Sequence, residues 1–256
     1  MYKELTAEQY RAHLGLDATY TVDGTVTFGG FKDDVLQPLK EALDRVGQKY
    51  TIRQLDAHPF FKPVYEILIG GKRVWFMLHY GSAMLSEHLH LASLFGSKMN
   101  IQTGICGGLK KGAWGGDIIV PTWSYAKESS AVAYELEGEE KHYPDERLSK
   151  DIAKTLEEKH KVFRGPTITF QAMLAETWED IENWSREGFY GVEMESATTF
   201  AVSKHFHIPA SAMLIVADNL IEKETVMDDG YKTKRADRMM VLGDCLEVAI
   251  GRVISA

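Results

Sequence analysis

The spacing of apolar residues changes period many times along the chain, between alternation and helical repeats. Met1 to Leu16 is polar and mildly amphipathic and reads as an N-terminal helix or arm. Tyr20 to Phe28 sets Val22, Val26 and Phe28 among Thr, Asp and Gly, which predicts a strand ending in a Gly29-Gly30 turn. Val35 to Val46 predicts a helix opened by Asp33-Asp34 and closed by Gly47. Val64 to Ile69 and Arg73 to His79 are β-rich runs about Gly70-Gly71, a hairpin signal. A helix follows from Met84 to Phe95, and Met99 to Ile101 leads into the Gly-rich stretch Thr103 to Gly108, read as a turn after a strand.

Beyond it, Asp117 to Val120 predicts a buried strand stopped by Pro121, and Ser124 to Asp145 a polar surface excursion. Further helices are expected at Ser149 to His160, Trp178 to Trp184, Glu195 to Phe206 and Lys234 to Ile254, with strands at Thr167 to Phe170 and Ala212 to Ala217. Strands alternating with helices predict an α/β protein with a mixed or mostly parallel sheet. Ligands in such sheets bind beyond the carboxyl ends of the strands. No repeat and no Pro/Gly/Ser-rich linker interrupts the chain, so residues 1–256 read as a single domain.

The composition narrows the partners. With 29 Lys+Arg against 37 Asp+Glu the net charge is −8, so a nucleic-acid partner is not expected. No uninterrupted apolar stretch of about 18 residues is present, so no membrane partner is expected and the cytoplasm is the expected compartment. Two cysteines, Cys106 and Cys245, make no disulfide framework and have no zinc-ligand spacing. His88 and His90 stand two apart on a helix and diverge, so no metal site is expected.

Chemistry concentrates in Gly191-Val192-Glu193-Met194-Glu195-Ser196-Ala197, where two carboxylates sit on a turn entering a helix. Acids early in a helix are common, so this stretch alone leaves a plain capping role open. Asp218 closes the apolar run Met213 to Ala217 and so faces the ligand crevice, although an Asp there also serves as a turn former.

Together with Thr103-Gly104-Ile105-Cys106-Gly107-Gly108-Leu109 and Gly115 to Pro121, these stretches resemble the nucleoside phosphorylase and nucleosidase superfamily of the purine/uridine phosphorylase type. The 25-residue interval from Glu193 to Asp218 fits the same family. The resemblance implies a three-layer α/β/α fold with a mixed, partly barrel-like sheet, assembled as a homo-oligomer (a dimer or trimer of dimers). It implies a small-molecule nucleoside as substrate. Glu195 would accept hydrogen bonds from the ribose hydroxyls, with Glu193 beside it. Met194 would pack under the sugar, and Met173 against the base unless it is simply core. Asp218 would be the acid that assists the leaving base. Arg53 resembles an arginine lent to the neighbouring subunit's anion site, unless it is a solvated strand-edge residue.

The implied reaction is cleavage of the N-glycosidic bond of a ribonucleoside, a purine one by the Asp218-Asn219 pair, without organic cofactor or metal and with inorganic phosphate as co-substrate. Gly29, Gly30, Gly104 and Ile105 fall where the family binds the anion. Here the pattern breaks: Gln102 and Ile105 stand in place of an arginine and a hydroxyl residue, and Lys32 is the remaining cation of the first loop. Hydrolysis, with water activated by Asp33 or Asp34, is the alternative, as is a non-catalytic nucleoside-binding protein. Trp178 and Trp184 either roof the base or form the apolar face of a helix.

Overall fold

The computed structural model describes the chain except residues 128, 135–137, 230 and 232–234; the side chains of residues 32–34, 235 and 236 also lie outside the description. Among the described residues, ten strands form one mixed sheet: β1 (Gly24–Gly29), β2 (Tyr50–Gln54), β3 (Val64–Ile69), β4 (Lys72–His79), β5 (Asn100–Gly108), β6 (Ile118–Ala126), β7 (Lys141–His142), β8 (Val162–Thr169), β9 (Gly191–Glu193) and β10 (Ala210–Asn219). Their order is β10-β6-β8-β9-β5-β1-β4-β3-β2, with β7 on β6. Because β10 also pairs with β5, strands β5, β10, β6, β8 and β9 close into a barrel, and β1, β4, β3 and β2 extend from it as an open wing.

The helices are α1 (Ala7–His13), α2 (Lys32–Val46), α3 (Ser82–Leu94), α4 (Glu146–Leu156), α5 (Trp178–Arg186), α6 (Ser196–His205) and α7 (Arg235–Ser255). Strand alternation sorts the side chains into two layers. Val26, Phe28, Phe76, Ile101 and Met213 point to one face and pack on α2, α4 and α7 through Leu39, Ile152 and Leu246. Trp75 and Met77 point to the other, against Leu85 and Leu89 of α3 and Val202 of α6. Truncating a side chain such as Leu39, wholly buried here, costs roughly 2–5 kcal/mol. Polar order continues between α6 and the sheet: Asn100 accepts from Thr25 and Ser97 and donates to Ser203.

The three-layer α/β/α expectation with a partly barrel-like sheet therefore holds. Several local readings need correction. The N-terminal helix is confined to Ala7–His13, where a Thr6–Gln9 capping box starts it. The Gly-rich segment through Gly108 is not a turn but the second half of β5, registered against β10 and, at Gly107 and Gly108, against β9. Pro121 does not end its strand; β6 runs on to Ala126, and the missing N–H falls where the register with β8 shifts between Pro121 and Ser124. The excursion after it holds a short turn of helix at Ser130–Tyr134 and β7, while Glu135 and Glu137 lie outside the described residues. No helix among the described residues is long and apolar enough to cross a membrane.

Candidate active site

The registers leave a gap on one edge of β5. Its β1 neighbour ends at Gly29, paired with Gly104, and β9 begins only at the level of Gly107 and Gly108. Ile105 and Cys106 therefore have β10 on one side and no strand on the other. Three carboxylates gather around this gap.

Glu193 ends β9 and is buried. One of its oxygens, Oε2, accepts from the backbone N–H groups of Glu195 (2.7 Å) and Ser196 (2.6 Å) and from Gln102 Nε2 (3.3 Å). The Thr169 hydroxyl donates to Oε1 and itself accepts from the Ala197 N–H. Burial pushes the Glu193 pKa up, and these hydrogen bonds oppose it. Backbone N–H groups can only donate, so this donor set matches the ionised form. Glu193 thus fastens the β9-to-α6 turn.

Glu195 is the N-cap residue of α6 and is also buried. Gly81 donates its N–H to Oε1 at 2.6 Å. Gly81 adopts φ +93°, a conformation that favours glycine, and so delivers this N–H at the start of α3. The other oxygen lies over Gly29, where an added Cβ would be only 2.6 Å from Oε2. Burial first, and the Glu193 charge second, raise the Glu195 pKa. Met194 lies at the same turn; its carbonyl accepts from Ser82 Oγ and Gln171 Nε2, and its Cε approaches Gly81.

Asp218 is buried on the opposite side of β5 from the gap, near enough to Cys106 for its charge to add to the rise of the thiol pKa. Gly107 is registered against both Val192 on β9 and Asp218 on β10, so those backbones stand two strand spacings, about 10 Å, apart. A register shift between Val216 and Asp218 marks a bulge that re-aims the strand end. Burial pushes the Asp218 pKa up to about 6; the Val226 N–H and the Arg238 charge pull it down, while Glu224 adds to the rise. Arg238 is itself buried, donates to the Tyr231 carbonyl at 2.6 Å and lies 3.8 Å from the Tyr231 ring centroid.

Other sequence candidates fall in different places. Met173 is 48% exposed, which removes the core-packing alternative, and its sulfur lies 4.0 Å from Tyr80 Oη at the mouth of the gap. Gly30 gives its N–H to the His79 carbonyl, and Gly104 is held in the sheet between β1 and β10, so neither is the open anion turn the sequence suggests. Ile105 is half-buried against the large core. Arg53 is outside the gap of its own chain: through Glu66 and Trp75 it is level with Thr25, four residues before Gly29 and three strands away. There it pairs with Glu66 at 2.8 Å. The side chains of Lys32, Asp33 and Asp34 lie outside the described residues. Asn219 spends its amide on the Ala113 carbonyl (2.6 Å) and the Glu222 N–H (3.1 Å), which removes it from base contact.

Trp184 is buried under the barrel cluster, whereas Trp178 is exposed beneath Lys223. Cys106 is buried, and burial pushes its thiol pKa well up, as for a structural cysteine. His88 stacks on His79 while His90 contacts Tyr134, so the two histidines diverge. No group of three or more His, Cys, Asp or Glu among the described residues could hold a metal ion. Four contributors were not legible as site residues: Gly81, Thr169, Glu176 and Arg238. Gly81 carried a faint signal as a Gly-Ser pair between a strand and a helix. Glu176 precedes the Thr177–Asp180 capping box and looks like an ordinary helix-opening acid.

Comparison with known proteins places this geometry in context. Residues 35–240 match the model of the Phosphorylase superfamily. A guanosine phosphorylase of Halorubrum lacusprofundi is 26% identical over 151 residues, 57% of this chain and 62% of that protein; the match thus spans about three fifths of the relative's length. A uridine phosphorylase from Vibrio fischeri superposes with a TM-score of 0.73 at 14% identity, covering 95% of this chain and 99% of the other. A Campylobacter jejuni 5′-methylthioadenosine/S-adenosyl homocysteine nucleosidase superposes with a TM-score of 0.68 at 15% identity, covering 89% and 98%. With the family model matching most of its length, this chain belongs to the phosphorylase superfamily.

Proposed function

We propose that the chain cleaves the N-glycosidic bond of a purine ribonucleoside, by phosphorolysis to free base and ribose-1-phosphate. What supports the reading is that Glu195, just past β9, and Asp218, near the end of β10, belong to the two strands that flank β5 at Gly107, and that both are buried with raised pKa values. Cleavage builds positive charge on the sugar and negative charge on the base. Glu195, held by the Gly81 N–H, offers an acceptor for two ribose hydroxyls; their donation favours its ionised form, which faces the sugar's developing charge. Asp218, its pKa raised to about 6, keeps a protonated fraction of roughly one in ten at pH 7; that form gives its proton to, or shares it with, the leaving base, help typically worth about 10²–10⁴ in rate. Met194 and Met173 would contact the sugar and base. The guanosine and purine nucleoside phosphorylases among the relatives support a purine substrate.

Hydrolysis is the second reading, and one observation favours it. Gln102, where the family's phosphorylases carry an arginine, is buried and gives its side-chain N–H to Glu193 within the chain. Both readings share the same sugar and base contacts. The exposed Phe31–Tyr80 stack beside the gap supports a second copy of the chain as a wall of the site. Incubation with a panel of ribonucleosides, with and without phosphate, tests the proposal. Phosphate-dependent release of a purine with ribose-1-phosphate is expected; release of ribose without phosphate selects hydrolysis, and no base release from any nucleoside overturns both.

A further inference from the structure

The mouth of the gap is spanned by one short segment. The helical turn Met173–Ala175 starts beside Tyr80, next to Gly81. It runs into α5, whose Trp178 lies 6.0 Å under Lys223, just past the turn that follows Asp218. The segment therefore crosses from the Glu195 side to the Asp218 side, and Glu176 sits in it between Met173 and Trp178. Glu176 is partly buried and near enough to Asp218 for the two carboxyls to feel each other. Among the described residues no donor is hydrogen-bonded or ion-paired to its side chain, although half-buried carboxyls ordinarily find one.

We infer that Glu176 reads the six-membered ring of the base beside Asp218 and makes the choice of purine depend on pH. As a carboxylate it accepts from a ring N–H and an exocyclic amine, the pattern of a 2-amino-6-oxopurine. As an acid it donates to a bare ring nitrogen, the pattern of a 6-aminopurine. The inference rests on the proposed nucleoside cleavage and deepens it. Burial, then Asp218 on β10 and Asp180 on α5, push the Glu176 pKa up to about 7. Asp180 is itself near Lys127 at 3.9 Å, Lys223 is taken up over Trp178, and Arg238 acts on Asp218. Sites built to hydrogen-bond a donor reject the analogue lacking it strongly, so one carboxyl is enough to set the preference.

The test compares kcat/KM for guanosine with that for adenosine between about pH 5.5 and 8.5. The ratio cancels every titration the two substrates share, including those of Asp218 and Glu195. For a group titrating near 7, the guanosine-to-adenosine ratio should rise about 100-fold between about pH 6 and 8, since acceptor and donor populations each change about tenfold. Glu176→Gln carries a fixed donor and a fixed acceptor and should flatten the ratio. Calorimetric binding of free guanine and adenine to the wild type repeats the comparison without chemistry. A wild-type ratio that stays flat, in turnover or in base binding, overturns the role of Glu176, as does a variant that keeps the pH-dependent ratio. Base binding that shifts with pH in a protein that cleaves neither nucleoside would instead sustain Glu176 and remove the catalytic proposal.

Discussion

Gly29→Ala is the sharpest perturbation of the site. A Cβ at residue 29 would stand 2.6 Å from Glu195 Oε2 and 3.1 Å from its carboxyl carbon. Ordinary contact begins near 3.5 Å, so the carboxylate must retreat by roughly 1 Å. It cannot do so freely, because the same group is held by the Gly81 N–H at 2.6 Å and its backbone by Glu193. Losing a hydrogen bond to a charged group costs about 1.5–3 kcal/mol. In a chain of 256 residues that lowers Tm by about 3–6 °C. A displacement of about 1 Å at a reacting group costs about 10² in rate. Gly251→Ala is the control: it lies in α7 with nothing within 4 Å of the added Cβ, and should gain roughly 0.5–1 kcal/mol with activity unchanged. Melting curves and base release from the best nucleoside read both arms. A Gly29→Ala protein with wild-type Tm and more than half of wild-type kcat/KM would show that Glu195 is not confined against β1, and the sugar-binding argument would fall.

Other substitutions probe the remaining contacts. Asp218→Asn should lower kcat/KM by about 10²–10⁴ while raising stability at neutral pH. The sign follows from the raised folded pKa, about 6 against about 3.9 unfolded. The wild type's favourable protonation is fully present below about pH 4 and lost as pH rises through 6, so the variant should melt higher at pH 7 by on the order of 2 kcal/mol, with no difference near pH 4. A variant equally stable at both pH values would count against a buried, proton-holding Asp218. Thr169→Val removes a donor from Glu193 and the acceptor of the Ala197 N–H, and should cost about 1–3 kcal/mol by chemical denaturation. Arg53→Ala should cost no more than about 1 kcal/mol, because the pair with Glu66 is mostly exposed on the arginine side and Arg73 still reaches Glu66 at 3.0 Å. A large rise in KM for phosphate in that variant would instead mark Arg53 as part of an anion site on a neighbouring copy.

The sequence carried the helix and strand alternation well because periodicity reports which face of an element is buried. The Gly70-Gly71 hairpin is the clearest case, with both glycines at positive φ. It failed where a local rule met a tertiary one. A Gly-rich run reads as a turn, yet Gly107 and Gly108 lie in β5, where an added Cβ would meet Leu220 Cδ1 at 2.7 Å and the Asp218 carbonyl at 2.9 Å. Pro121 reads as a strand end, but a register shift lets β6 continue past it. The β2 strand, whose pattern of partial exposure lacks an apolar run, gave no periodic signal at all.

The same contrast explains which parts of the site could be read. Glu193, Glu195 and Asp218 could be picked out only through the family-like motifs they stand in, because a helix-opening or strand-ending acid by itself leaves a capping or turn role open. Their division of labour was not legible. Two acids two residues apart look equivalent in sequence, but Glu193 receives its donors from the turn that Glu195 and Ser196 begin, so it is spent on the fold. That charge in turn helps raise the pKa of its neighbour Glu195. The groups that complete this arrangement, Gly29 at the end of β1 and Gly81 at the N-cap of α3, are far away in the chain. Their contribution is an absent side chain in one case and a backbone N–H in the other. Neither has a residue type that chemistry would single out, so only the folded geometry could assign them.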